Sequence, residues 1–290
     1  MATTRKIIPV LLIAMLITSI ATITSIQAVK ASNAGLMFTP NYLIGGTDPS
    51  GEGPYSDSVA NMIMYYFQNY GSNYYYLYNC QDSAATQNQY ASSLSYCQNN
   101  YYNTVVYSKG HEWTWGDSNH YEIIPNNYVY DTNGVKDSST VYSNTGASDR
   151  FAFIWHCGTA MAYPSASDGY GWEGMPYDFT HNNGMSTDGY GRADSGWYVY
   201  LGFNNYSPEY LDGTGYGSNN YGSFVTYFYM YLLQYHYSVI TSLNFATQAT
   251  TQYGANFGAW PFHTGMWEGS NPQLWSQFVV YGNGNLGIPA

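Results

Sequence analysis

Two short apolar runs, each stopping at a residue able to do nucleophilic or proton-transfer chemistry, constrain this chain more than any other feature. The first is Thr104-Val105-Val106-Tyr107-Ser108-Lys109-Gly110-His111 and the second Arg150-Phe151-Ala152-Phe153-Ile154-Trp155-His156-Cys157-Gly158. Each reads as a buried strand that runs out, at its C-terminal end, into a glycine-containing turn. In an open parallel α/β sheet, ligands bind in the crevice at those carboxyl ends. Neighbouring strands would bring a thiol and an imidazole to one sheet edge, where a histidine can activate a cysteine as nucleophile.

The rest of the chain supplies the alternation such a sheet needs. Leu36 to Ile44 is an apolar run, expected as the first strand. Ser56 to Tyr70 has Val59, Met62, Ile63, Tyr66 and Phe67 at helical steps, with Gly71 as a stop. Tyr74 to Tyr78 reads as a strand, and Asp82 to Thr86 offers an N-cap to a helix reaching about Tyr96. Trp113 to Asp149 is a long polar connection with one strand-like stretch at Tyr121 to Ile124. Trp197 to Phe203 is a further strand, Phe224 to Tyr235 and Ser238 to Thr250 are helical, and Leu274 to Tyr281 closes the chain as a strand. The order predicts an α/β fold, a mainly parallel sheet with helices on both faces.

Residues 1–34 are expected to stand outside that fold. Arg5 and Lys6 precede an apolar stretch from Ile7 to Ile20, and Ser32-Asn33-Ala34 is a small-x-small cleavage site, the pattern of a secretory signal peptide. No later stretch is long and apolar enough to span a bilayer. The expected domain is therefore 35–290, secreted or held at the cell surface. Three of the 7 basic residues lie in the leader and all 18 acidic ones beyond it, leaving a balance of −14 with histidines neutral. That charge argues against nucleic acid or an anionic membrane surface as partner. Tyrosine is abundant, at 35 residues; it can serve core edges and surface alike, or form an adhesive, carbohydrate-binding face.

The 3 cysteines make an odd count for an exported chain. Cys80 and Cys97 flank a predicted helix and are candidates for a disulfide, which would leave Cys157 as the free thiol. No histidine–carboxylate cluster has zinc spacing. The two echoing pieces Ser167-Asp168-Gly169-Tyr170-Gly171 and Thr187-Asp188-Gly189-Tyr190-Gly191 read as paired surface turns, with a structural calcium loop as the alternative. Asn205-Tyr206-Ser207 is a glycosylation sequon.

Placed in order, these pieces resemble the cysteine peptidases of the caspase-haemoglobinase fold, gingipain-type members above all. The resemblance rests on Asp82-Ser83-Ala84-Ala85-Thr86-Gln87-Asn88, on the strand ending at His111, on the strand ending at Cys157, and on Phe278-Val279-Val280-Tyr281-Gly282-Asn283-Gly284-Asn285-Leu286. His111 and Cys157 are 46 positions apart, near the ~50 of caspases. The resemblance implies a caspase-like three-layer sandwich and a cysteine endopeptidase acting on peptide or protein substrates without a cofactor.

In that scheme Cys157 attacks the peptide carbonyl and His111 moves the proton or holds the thiolate. Backbone N–H groups of Cys157, before Gly158, and of a residue beside His111 stabilise the oxyanion. The family has glycine directly after its histidine; here Glu112 follows and Gly110 precedes, so the loop is open to a different aim. Strand alternation turns His156 away from Cys157, and His120 and His181 belong to loops that can line the cleft. A pocket for basic side chains needs an acid, with Asp149, Asp168, Asp188 and Asp194 available; an acidic preference needs Arg150 or Arg192. The alternative reading is the same fold without catalysis, as a surface binding or adhesion protein.

Overall fold

The alternating apolar strands bury both of their faces. In this computed structural model, residues 31–40, 51–115, 120–125, 134–160, 174–180, 197–204, 206–251, 266–267, 275–276 and 278–288 are described. The elements that carry the fold are β1 (Ala31–Pro40), α1 (Glu52–Tyr70), β2 (Tyr74–Asp82), α2 (Gln87–Asn100) and β3 (Tyr101–Lys109). Three short strands follow, β4 (Glu112–Trp115), β5 (His120–Ile123) and β6 (Val135–Lys136). Then come β7 (Asp149–Trp155), α3 (Met175–Thr180), β8 (Val199–Phe203), α4 (Tyr221–Tyr229) and α5 (Val239–Thr250). The chain ends with β9 (Met266–Trp267), β10 (Trp275–Ser276) and β11 (Phe278–Gly282).

The main sheet has six strands in the order β11-β8-β7-β3-β1-β2. β1 runs parallel to β2, and β3, β7 and β8 run parallel to one another. Only the edge strand β11 is recorded antiparallel, against β8. The predicted α/β class and mainly parallel sheet are therefore found. Within each strand, successive side chains join different cores, as the two-residue period of a strand demands. Met37, Val105, Tyr107, Phe151, Phe153, Trp155, Leu201 and Val280 pack with α1, α4 and α5, whereas Leu36, Phe38, Val106, Ala152, Ile154, Tyr200 and Val279 pack with α2 and α3. Both faces are thus covered by helices, which accounts for the near-continuous apolar runs.

Capping sets the helix starts. The Thr86 side chain accepts from the Gln89 N–H, Asn220 from Ser223 and Ser238 from Thr241. Tyrosine is a core residue here: Tyr90, Tyr107, Tyr200, Tyr210 and Tyr229 are all fully buried, while Tyr75 and Tyr102 are exposed. The connection between β3 and β7, where one strand-like stretch was expected, forms a separate three-stranded sheet, β4-β5-β6. Among the described residues no helix is long and apolar enough to cross a membrane.

The expected cleavage triplet lies in the first strand. Residues 1–30 lie outside the described region, but Ser32 to Ala290 form one compact unit, and Ser32-Asn33-Ala34 belongs to β1. Asn33 is buried; its side chain donates to the Ser72 carbonyl at 2.6 Å and accepts from Asn103 at 2.7 Å. A cut after Ala34 would remove these bonds, each worth about 1 kcal/mol, together with the strand's first pairings. Chemical denaturation checks this: a chain truncated to begin at Gly35 should unfold at a lower denaturant concentration than one beginning at Ala31.

Candidate functional site

The carboxyl edge of the sheet assembles the residues singled out by the sequence. Along β3 and β7, Val105 pairs with Phe151, Tyr107 with Phe153, and Lys109 with Trp155. The Gly110 N–H still donates to the Trp155 carbonyl at 3.4 Å. His111 and Cys157 therefore each stand two residues beyond the last matched pair, on adjacent parallel strands spaced about 4.8 Å apart. Both are partly exposed.

His156 holds this edge together from beneath. It is 0 % exposed, its Nδ1 lies 2.8 Å from the His111 carbonyl oxygen and its Nε2 2.8 Å from Ser108 Oγ. A carbonyl only accepts, so Nδ1 carries the hydrogen and Nε2 accepts from the Ser108 hydroxyl. The His111 carbonyl accepts a second bond from the Ile124 N–H at 3.0 Å. The main chain at His111 is thereby tied to β7 on one side and to the β5 end on the other. Burial drives the His156 pKa down to about 3, with Lys109 and His111 adding to the fall and the bond to His111 opposing it.

The glycine before His111 sits in a tight place. A Cβ on Gly110 would lie 3.0 Å from His156 Cε1 and 3.1 Å from Pro40 Cγ. Glu112 meanwhile opens β4 and pairs with Ile123, so its place asks for extended backbone that any residue adopts. Gly158, after the cysteine, has φ 64°, a left-handed conformation suited to glycine.

A polar loop, marked in the sequence by the Asn205-Tyr206-Ser207 sequon alone, supplies the other wall. The Ser207 N–H points to Cys157 Sγ at 3.2 Å, and its hydroxyl lies 3.5 Å from the same sulfur. Trp155 Nε1 donates to the Pro208 carbonyl at 2.8 Å. Glu52, at the start of α1, accepts the Tyr210 N–H at 2.6 Å and the Leu211 N–H at 3.1 Å. Its carboxylate also pairs with Lys109 Nζ at 3.0 Å, with the two side chains 0 % and 1 % exposed. The Lys109 ammonium sits 5.0 Å from the Tyr210 ring centroid, and the Tyr210 hydroxyl bonds that of Tyr107. One lysine, two positions before His111, thus connects the β3 end, the α1 start and the 207–211 loop. Its signal was faint: a cation inside an apolar strand, in a chain with only 7 basic residues.

Other sequence candidates are dispersed. Asp149 and Arg150 begin β7, at the edge opposite Cys157, so neither can line a cleft beside it. The Asp149 carboxylate accepts from the Gly146 N–H at 2.9 Å. Cys80 and Cys97 are separate buried thiols rather than a bridge, and the Cys80 sulfur donates to the Ala84 carbonyl at 3.1 Å. Burial raises these thiols to about 11 and about 12. Asp168, Asp188, Asp194, His181, Arg192, Asn205 and the two echoing turns lie outside the described residues, as does the His120 side chain. Among the described residues no group of three or more His, Cys, Asp or Glu could hold a metal. Neither protein-family models nor curated proteins match this sequence.

Two outcomes follow from the buried polar groups. The unfolded imidazole of His156 protonates near its ordinary 6.5 and the folded one only near 3, so between these values the unfolded chain binds the extra proton. Stability contributed by neutral His156 is therefore lost as pH falls through that window, by up to ~1.4 kcal/mol per pH unit. Chemical denaturation at stepped pH should show this slope in the wild type and a shallower one in His156→Gln. Lys109→Met leaves the Glu52 carboxylate buried without its cation and should cost about 3–5 kcal/mol. Adding Glu52→Gln to that variant should recover part of the loss in the same denaturation assay.

Proposed function

We propose that this chain is an exported cysteine peptidase of caspase-like architecture, with Cys157 as nucleophile and His111 as its proton-transfer partner. The observation that carries this reading is the parallel pairing of β3 with β7 in a register that ends both strands at one edge, two residues short of His111 and Cys157. The three-layer arrangement and the mainly parallel sheet support the resemblance drawn from the sequence.

The chemistry balances with the groups at this edge. His111 takes the proton of the Cys157 thiol, the thiolate attacks the peptide carbonyl carbon, and the carbonyl oxygen becomes an oxyanion beside the backbone of the Cys157-Gly158 turn. The Ser207 N–H directed at Sγ is a stronger bond when the sulfur is charged, which favours the reactive form. Collapse breaks the C–N bond, the amine leaves with a proton from His111, and a thioester remains. Water, giving its proton to His111, then hydrolyses the thioester and restores the thiol. His156 takes no part in proton transfer: its buried, neutral ring positions the His111 main chain.

Cys157→Ala and His111→Ala should each abolish cleavage of a diverse peptide library while leaving the thermal unfolding transition in place. The double variant should be scarcely worse than either single one, because the two groups act as one unit. Iodoacetamide on the folded protein should inactivate it by modifying Cys157 alone, since Cys80 and Cys97 are 0 % exposed. An unreactive Cys157 with no peptide cut would instead favour a surface-binding protein, for which exposed Tyr75 and Tyr102 are the first contact candidates.

A further inference from the structure

The edge of the sheet opposite Cys157 holds a cavity of about 220 Å³ among the starts of β3, β7 and β8 and the segment after β11. Its walls include Phe151, Val199 and Ile288, all buried, and Trp197, 73 % exposed, stands at the rim. Arg150 and Asn103 are its polar members. We propose that this recess binds a small carboxylate with an apolar, single-ring body, the Arg150 guanidinium taking the carboxylate and the walls taking the ring.

The argument starts from how Arg150 is held. Its Nε donates to Asn103 Oδ1 at 3.3 Å, Asn103 Nδ2 donates to Asn33 Oδ1 at 2.7 Å, and Asn33 Nδ2 donates to the Ser72 carbonyl at 2.6 Å. This relay orients both amides, so that an oxygen faces Arg150, and it engages only the inner nitrogen of the guanidinium. The outer fork remains for a planar anion, the geometry in which arginine binds a carboxylate through two parallel bonds. Among the described residues no carboxylate forms an ion pair with Arg150, and its neighbour Asp149 is engaged with Gly146.

Composition sharpens the point. In a chain of net charge −11, with 7 basic residues in all, a cation with no acidic partner among the described residues, set at an apolar recess, is not explained by solubility. The size of the recess sets the ligand. It falls below the ~300–1,000 Å³ of sites for drug-sized molecules, which favours one ring or one branched side chain over an extended body. An exposed tryptophan at the mouth offers a flat face to a ring entering beside the charge. The same chemistry occurs in a free aryl-alkanoic acid and in the C-terminal residue of a peptide that ends in phenylalanine.

Calorimetric titration of the full chain with 3-phenylpropionate, beside 3-phenylpropionamide, tests the charge. The acid should bind at least about tenfold more tightly than the amide, the discrimination expected of a charge-assisted pair. Arg150→Gln should bring the acid down to the level of the amide and leave the amide unchanged. Trp197→Ala, at an exposed position that the fold does not need, should weaken both. A peptide ending in phenylalanine, with a free or an amidated C-terminus, separates the two sources: binding of the free form alone makes the recess a reader of chain ends, and binding of neither confines it to free acids. Equal binding of acid and amide by the wild type, or no binding of either, overturns the proposal whether or not Arg150→Gln folds. So does an Arg150→Gln protein that holds the acid as well as the wild type. None of these outcomes depends on Cys157 or on peptidase activity.

Discussion

The buried pair of Glu52 and Lys109 is the contact on which the carboxyl edge depends. Neither charge reaches water, so each requires the other. The carboxylate also accepts two backbone N–H groups of the 207–211 loop, an economical solution for a buried anion. One side chain therefore sets the distance between α1, the end of β3 and the loop that touches Cys157. Had this cluster been apolar, hydrophobic contact alone would have allowed the loop to slide. Directional bonds to main-chain donors do not.

The same logic governs the position of the glycine. A histidine beside Cys157, buried and bonded at both nitrogens, leaves little room for a side chain where β3 turns over it. Gly110 fits that space, and Pro40 closes the other side. With the flexible residue consumed before His111, the residue after it enters a strand and need not be glycine. Glu112, which in the sequence looks like a defect in the family pattern, follows from the presence of His156. Ser108, His156 and Gly110 form one packing solution, and a change at one asks for changes at the others.

The sheet was legible in the sequence because strands buried on both faces leave apolar runs that short-range reading detects. Helix starts at Thr86 and Ser238 were legible for a similar reason, as caps act within one turn. That β3 and β7 run out side by side at one edge followed from strand direction. What stayed hidden is polar and distant: Glu52 and Tyr210 are 158 positions apart, and Cys157 and Ser207 are 50 apart. No periodicity links such residues. The Ser32-Asn33-Ala34 triplet carries two readings at once, since small residues suit a cleavage site and a tight central strand alike, and Asn33 and Ala34 are buried in β1. Asp149 and Arg150, two of the charged residues open as specificity determinants, stand at the far end of β7, since a strand of seven residues carries its two ends on the order of 20 Å apart.

Scarcity of cations gives each basic side chain among the described residues a defined place. Lys109 neutralises a carboxylate in the core, and Lys136 stands opposite Glu122 in the small sheet. Among the described residues, Arg150 is held by neutral amides rather than by an acid. An asparagine relay fixes a guanidinium without cancelling its charge, which keeps its field directed at whatever enters the neighbouring recess. A carboxylate in the place of Asn103 would have tied Arg150 down more firmly and silenced it. The two edges of the sheet thus use charge in opposite ways: at the carboxyl edge it is neutralised internally to hold a loop, and at the amino edge it is held uncompensated at a cavity.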